Sequence, residues 1–169
     1  MTDPIAEQEL IDLTGLLLHF SHALKYAVST LTGLDMMESP EETMHKSVKG
    51  PKLSGIAILN GSMNLLSSIT MPREAAFTFF YLMTGINREE LSDKDLCDGM
   101  AELVNVVSGM AKPLLTEFKS RLSMTPPFAI IGDNYEIIHG EKILRASREF
   151  YCENINLRLE ISYLGGTKK

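Results

Sequence analysis

The segment from Ser54 to Thr70, SGIAILNGSMNLLSSIT, constrains the fold of this chain more than any other. Two runs with the composition of β-strands are joined there at Asn60-Gly61. Both central residues of a type I′ turn need positive φ angles, which Asn-Gly adopts at low cost. The pattern therefore predicts a β-hairpin with Asn60-Gly61 at its turn.

Apolar residues recur at helical spacing in three other segments. These segments cover residues 5–34, 71–85 and 92–122. Pro72 occupies the first turn of the second segment, and Gly85 supplies its end. Ser92 and Asp95 form a predicted capping box at the start of the third. We therefore expect three helices, of which the first and third are long.

The remaining segments predict loops and strands. Residues 35–52 have no clear period, which favours a loop with at most one short strand. Three later segments look like strands, namely FAIIG at 128–132, YEIIHG at 135–140 and NINLRLEISYL at 154–164, with a turn at 132–134. The order of elements predicts an α+β fold, in which a mostly antiparallel sheet packs against long helices. At 169 residues, we expect a single domain over residues 1–169.

The charge pattern excludes several classes of function. The net charge is -6, and the Lys and Arg residues are scattered, so nucleic acid is not an expected partner. No apolar run approaches the roughly 18 to 20 residues that a membrane span needs, and the N-terminus is acidic. We expect a cytoplasmic protein that does not enter a membrane.

Neither the cysteines nor the histidines indicate a metal site. Cys97 and Cys152 form no CxxC pair and are expected to be buried, reduced thiols. His19 and His22 are three residues apart on the first helix, but no Glu or Cys nearby completes a ligand set. We expect these two histidines to lie on the helix surface or to be partly buried.

The third helix has two contrasting faces when its residues are placed at about 100° each. The apolar face is expected to be core and comprises Leu96, Met100, Leu103, Val104, Val107, Met110, Ala111 and Leu114. On the opposite side, Asp98, Glu102, Asn105, Gly109 and Lys112 lie within roughly 40° of one line. We call these five residues the polar stripe.

A polar stripe on an amphipathic helix is most often only a solvated face. Two residues argue for a further use. Asn105 is a poorer helix former than Lys, Gln or Arg, and Gly109 costs about 1 kcal/mol relative to alanine. A glycine there would let a partner approach Asn105 closely. Pro113 predicts a kink or break between Gly109 and Lys112, which would redirect the Lys112 ammonium.

The sequence Asp98-x-x-x-Glu102-x-x-Asn105 resembles the motif of the CheC, CheX and FliY phosphatases, which begins with Asp or Ser, continues as Glu-x-x-Asn and ends at a later proline. Pro126-Pro127 lies near that last position, and the order of helices and strands also matches. Only one such helical motif is present, so the chain resembles the CheX-like members rather than the CheC-like ones, which carry two. A second match, Glu153 to Asn156, leads into a predicted strand and is accidental.

The resemblance implies a phosphatase that acts on the aspartyl phosphate of a CheY-like response regulator, in chemotaxis or a related two-component pathway. Glu102 and Asn105 would be catalytic, with Asn105 orienting a water and Glu102 pairing with the regulator's active-site lysine. Asp98, Gly109 and Lys112 would contact the partner, although Asp98 fits a helix-start acid equally well. No metal or cofactor of its own is implied, since Mg²⁺ belongs to the regulator.

Two further expectations concern partners. The resemblance implies a homodimer, with sheet edges or the final strands meeting across a two-fold axis. The alternative function is a non-catalytic module that binds a response regulator or a flagellar-switch component through the same helix. Retention of both Glu102 and Asn105 favours the enzyme, because a module that only binds has no need of a water-orienting amide.

Overall fold

The computed structural model describes residues 12–39, 48–118, 121–138, 140 and 143–166. The helices are α1 (Leu13–Thr32), α2 (Arg73–Thr84) and α3 (Asp93–Ala111), with 3₁₀ segments at Arg88–Glu90 and Lys112–Phe118. The strands are β1 (Met37–Glu38), β2 (Pro51–Asn60), β3 (Met63–Pro72), β4 (Ser123–Met124), β5 (Phe128–Asp133), β6 (Leu144–Cys152) and β7 (Ile155–Gly166). The predicted α+β class, with a mostly antiparallel sheet packed with long helices, is confirmed.

All seven strands form one antiparallel sheet in the order β1-β6-β7-β3-β2, with β4 and β5 both paired to the outer edge of β2. Alternate residues of each strand point to opposite faces. The three helices cover the face that we call the inner face, where side chains such as Leu53, Ile69 and Leu159 are fully buried. The buried residues of the helices and of this face form one hydrophobic core.

The predicted hairpin is present, but its predicted turn is wrong. Strands β2 and β3 pair from Lys52 opposite Pro72 to Leu59 opposite Leu65. Neither Asn60 nor Gly61 has a positive φ, so the turn is not type I′. A Cβ at Gly61 would lie 2.3 Å from the carbonyl oxygen of Arg121. The glycine therefore admits a neighbouring chain segment and is not there for the turn conformation.

The helix bounds differ from the predictions at two ends. Helix α1 ends as expected at Gly33, in the left-handed conformation, whereas its predicted start at residues 5–11 lies outside the described residues. Helix α2 begins at Arg73, after Pro72, and Gly85 caps it. Helix α3 ends at Ala111 and not near Leu122, because Pro113 cannot donate the hydrogen bond that an α-helix needs there. The predicted break is confirmed.

The strand predictions after Pro127 were partly wrong. Strands β5 and β7 are confirmed, but Tyr135–Ile138 form no strand, since the chain turns at Asn134, whose φ is 54°. Strand β6 was missed. Strand β7 is paired on both sides, with β3 and β6, so it is not the open edge that the dimer expectation assumed.

In the described part of the chain, no helix combines the length and apolar character that a membrane span requires. The two cysteines are free and half-buried, so the prediction that they are buried was too strong.

Candidate functional site

The start of α3 is fixed by the predicted capping box. The Ser92 hydroxyl accepts a hydrogen bond from the Asp95 backbone N–H at 3.3 Å, and Asp95 Oδ2 accepts one from the Ser92 N–H at 2.9 Å. Hydrogen bonds from the Ser92 side chain and backbone lower the pKa of the Asp95 carboxyl from its ordinary value. A fixed first turn sets which residues of α3 face outward.

Two close contacts hold the inner side of α3. A Cβ at Gly55 of β2 would lie 2.4 Å from the carbonyl oxygen of Met100, and a Cβ at Gly99 would lie 2.4 Å from the ring of Phe80 in α2. Each glycine allows α3 to pack closely on its neighbour. The opposite side of the helix is thereby held toward solvent in one orientation.

Glu102 and Asn105 are brought together on that solvent side. Glu102 is exposed and Asn105 is half-buried. The Asn105 Nδ2 donates a hydrogen bond to Glu102 Oε2 at 3.3 Å. This contact uses one of the two N–H donors of the amide and orients its carbonyl oxygen. The pair thus presents a carboxylate and an amide, side by side, to an incoming partner.

Asp98 lies one turn before Glu102 and already has a partner. Its carboxylate pairs with Lys94, four residues earlier, and the two side chains are 65% and 81% exposed. The hydrogen bond to Asp98 and the negative charge of that carboxylate raise the pKa of the Lys94 ammonium. An ion pair this exposed contributes little stability and exchanges readily. Asp98 therefore remains accessible to a cation on another protein.

Gly109 and Lys112 complete the stripe at the end of α3. Gly109 is exposed, and a Cβ there would meet no atom of the described residues within 4 Å. Lys112 is half-buried at the junction with the 3₁₀ segment, and its backbone N–H still bonds to the Ser108 carbonyl. Gly109 therefore provides open space beside Asn105, while Lys112 sits where the helix changes form.

Two apolar residues beside Gly109 were wrongly assigned to the core. The other six members of the predicted apolar face are buried, but Met110 is 36% exposed and Leu114 is 42% exposed. Met110 lies at the margin of the apolar arc, and Leu114 lies beyond Ala111, where the α-helical angle no longer applies. Pro113 was the available signal that the helical wheel fails at this point.

The other candidate residues form no site. Glu153 and Asn154 make the turn between β6 and β7, and Asn156 lies on β7, as expected for an accidental match. Within the described ranges, no group of three or more His, Cys, Asp or Glu side chains could hold a metal ion. His19 is half-buried and His22 exposed on α1, as the sequence predicted.

The arrangement on α3 suits positioning better than proton transfer. Asn105 has no titratable group, so its hydrogen-bonding capacity is the same at every working pH. The Glu102 carboxylate can bind a cationic group of a partner with a charge-assisted hydrogen bond. No side chain of the stripe is a nucleophile paired with a base.

Several solved structures have a fold similar to that of this chain. CheX from Vibrio vulnificus has 21% identity and a TM-score of 0.76, over 88% of this chain and 98% of that one. A CheC-like superfamily protein from Shewanella sp. PV-4 has 22% identity and a TM-score of 0.77, over 89% and 98%. A chain of the CheX-CheY-BeF3-Mg²⁺ complex from Borrelia burgdorferi has 20% identity and a TM-score of 0.72, over 90% and 98%.

Comparison at the sequence level shows the family. No curated protein sequence matches this chain. The family model described as "Chemotaxis phosphatase CheX" matches residues 53–147, more than half of the 169 residues, and this range includes the whole polar stripe. The chain belongs to the CheX family of chemotaxis phosphatases.

Proposed function

We propose that this protein hydrolyses the aspartyl phosphate of a CheY-like response regulator, with Asn105 and Glu102 as its catalytic residues. The observation that carries the proposal is the hydrogen-bonded pair that these two residues form on the solvent side of α3. Family membership and the likeness to a chain from a CheX-CheY complex support the choice of substrate.

Asn105 orients the attacking water. Its amide offers an acceptor and donors, so it can hold a water in line with the phosphorus. The water oxygen forms a new bond to phosphorus as the bond between phosphorus and the aspartyl oxygen breaks. The products are inorganic phosphate and a free aspartate, and the water proton passes to phosphate or solvent. Such a reaction needs mainly positioning and charge neutralisation, and the regulator's own Mg²⁺ supplies part of the latter.

Glu102 fixes the register of the complex. Its carboxylate pairs with the regulator's active-site lysine, which places Asn105 over the phosphorylated aspartate. The hydrogen bond from Asn105 keeps the amide carbonyl directed away from Glu102 and toward the water. The two residues therefore act as a unit.

The rest of the stripe contacts the regulator. Gly109 leaves room for the partner's surface, and Asp98 exchanges its pairing with Lys94 for a cation on the regulator. Lys112 lies at the far end of the contact. No cofactor of this chain takes part in the reaction.

Three features of the intact protein are part of the same proposal. It acts in the cytoplasm, as one domain over residues 1–169, and as a homodimer. Since β7 is interior to the sheet, a dimer formed through sheet edges would use β1 or the β4 and β5 side.

The test follows the loss of phosphate from CheY-like regulators of the source organism, with Mg²⁺ present. We expect the wild-type protein to accelerate the loss and Asn105→Ala to do so roughly 100-fold less, because an unpositioned water reacts slowly. Asn156→Ala, in the second Glu-x-x-Asn sequence, is the matched control and should behave as wild type. If the protein accelerates the loss of phosphate from none of the regulators, the enzymatic function is refuted, and the non-catalytic binding module is the function that remains.

A further inference from the structure

The outer face of the sheet, away from the helices, carries a band of charged and hydroxyl side chains. The strand registers place Ser54 opposite Thr70, Ser68 opposite Glu160, and Thr70 opposite Arg158. These residues alternate with the buried inner-face residues of the same strands. The band therefore runs across β2, β3 and β7, on the side of the sheet opposite to the polar stripe.

A cavity of about 320 Å³ lies over this band. The segment after β5 forms one wall, where Tyr135 donates a hydrogen bond to Ser54 Oγ at 2.7 Å. Ser54 in turn shares a hydrogen bond of 2.6 Å with Thr70. Burial raises the pKa of the Tyr135 phenol, which keeps it protonated. The volume is at the lower end of the range for small-molecule sites.

Lys52 is the most deeply placed cation of the cavity. Its residue surface is only 7% exposed, and its Nζ donates to the Val48 carbonyl at 2.8 Å. The ammonium also lies 4.8 Å from the centre of the Tyr135 ring. Among the described residues, no carboxylate lies within ion-pair distance of it. A buried ammonium is costly unless an anion accompanies it.

Arg158 and Arg145 add two further positive charges to the lining. Arg158 Nη2 donates to Ser147 at 2.9 Å and lies 3.5 Å from a Glu160 oxygen. Its Nε is buried and has no acceptor within the residues that the structure describes. Arg145 is exposed on β6. Three cations thus face two lining acids, Glu136 and Glu160, and the described lining has excess positive charge.

We propose that this cavity binds a small oxyanion, a phosphate or a carboxylate group, through Lys52, Arg145 and Arg158. The anion accepts a hydrogen bond from the Lys52 ammonium and lies beside the Arg145 and Arg158 guanidinium groups and the hydroxyl groups of the band. In a chain whose net charge is -6, such a site requires a local grouping of cations, and the strand registers provide one. The proposal is independent of the phosphatase function, because the cavity and the stripe lie on opposite sides of the sheet.

Isothermal titration of the full chain with inorganic phosphate and, separately, with citrate tests the site. We expect saturable binding of one anion per chain for at least one of the two, and the tighter ligand identifies the preferred group. Lys52→Gln and Arg145→Gln should each weaken binding about tenfold or more, since each removes a charged donor. Arg121→Gln, an exposed arginine near the other end of β2, is the charge-matched control and should bind as wild type.

Two results would overturn the proposal. One is the absence of saturable binding for both anions. The other is equal binding by Arg145→Gln and Arg121→Gln, which would mean a general charge effect. Since Arg145 is exposed, its substitution keeps the test valid even if Lys52→Gln does not fold. Asn105→Ala should bind the anion as wild type does, which separates this site from the phosphatase proposal.

Discussion

Gly99 and Gly109 belong to the same helix and have opposite surroundings. A Cβ at position 99 would lie 2.4 Å from the Phe80 ring, whereas one at position 109 would meet no described atom within 4 Å. Each glycine costs about 1 kcal/mol relative to alanine in a helix interior. Packing against α2 explains Gly99, but nothing described in the chain explains Gly109. The difference points to a use for Gly109 outside the protein.

The same contrast separates the two sides of α3. The inner side is determined by packing, with Leu96, Met100 and Val107 fully buried. The outer side has the Glu102–Asn105 pair, which buries little surface and adds little stability. One set of residues on α3 therefore stabilises the fold, and another set is available to a partner. Substitutions on the inner side should change stability, and substitutions on the outer side should change binding or activity.

The largest effect on stability is expected for Gly99→Ala. The new methyl group must displace the Phe80 ring, and overpacking of this kind costs about 1–3 kcal/mol. Urea denaturation should show the loss as a lower midpoint with an unchanged slope. An unchanged midpoint would mean that the clash with Phe80 costs no more than the roughly 1 kcal/mol that alanine gains in a helix, and the contrast between the two glycines would lose half its basis.

Glu102→Gln should affect the partner and not the fold. Glutamine retains an oxygen that can accept the hydrogen bond from Asn105 but removes the charge that pairs with the regulator's lysine. We expect KM for the phosphorylated regulator to rise about tenfold, from the loss of one charge-assisted hydrogen bond. The ratio of the KM of Glu102→Gln to the wild-type KM should be smaller at high salt, because salt screens the lost charge interaction. An unchanged KM would remove Glu102 from the contact.

Gly109→Ala should have effects of opposite sign on stability and function. Alanine relieves the helix cost, so the free energy of unfolding should increase by about 0.5–1 kcal/mol. The same methyl group should obstruct the regulator and weaken its binding. Matched titrations of Gly109→Ala and wild type against one regulator check the second effect. Normal binding by a stabilised variant would contradict the role given to Gly109.

The smallest effect concerns pH and the start of α3. The pKa of the Asp95 carboxyl lies below its ordinary 3.8 because Ser92 donates hydrogen bonds to the charged form. The stability it adds is therefore fully present above 3.8 and is lost as the pH falls through the lower folded-state pKa. Thermal unfolding of wild type and Asp95→Asn should converge as the pH is lowered, and a constant difference would contradict the assignment.

The third helix was predictable because local signals agree with its tertiary role. Ser92 and Asp95 fix its start, and Glu102 and Asn105 lie on one face because they are about one turn apart. Pro113 predicted the end of the regular helix, but the exposure of Met110 and Leu114 depends on geometry beyond it. Local patterns therefore predicted well that Glu102 and Asn105 lie together on the solvent side, and predicted the apolar border of that side poorly.

Features set by distant contacts were not predictable. Strand β6 escaped detection because its inner face includes Arg148, whose charge is paired with Glu38 of β1 at 2.8 Å. That pairing joins residues far apart in the sequence and hides the alternation expected of a strand. The predicted turn of the hairpin was wrong for a similar reason, because Gly61 accommodates the backbone of Arg121, which is distant in the sequence.

The role of Asn105 is tested most directly by the single-turnover rate of phosphate release, measured with the phosphatase in saturating excess over the phosphorylated regulator. Saturation removes differences in binding, so the rate reports the positioning of water alone. We expect Asn105→Ala to bind the regulator as wild type does and to release phosphate roughly 100-fold more slowly. A wild-type rate for the saturated Asn105→Ala complex would mean that Asn105 does not position the attacking water.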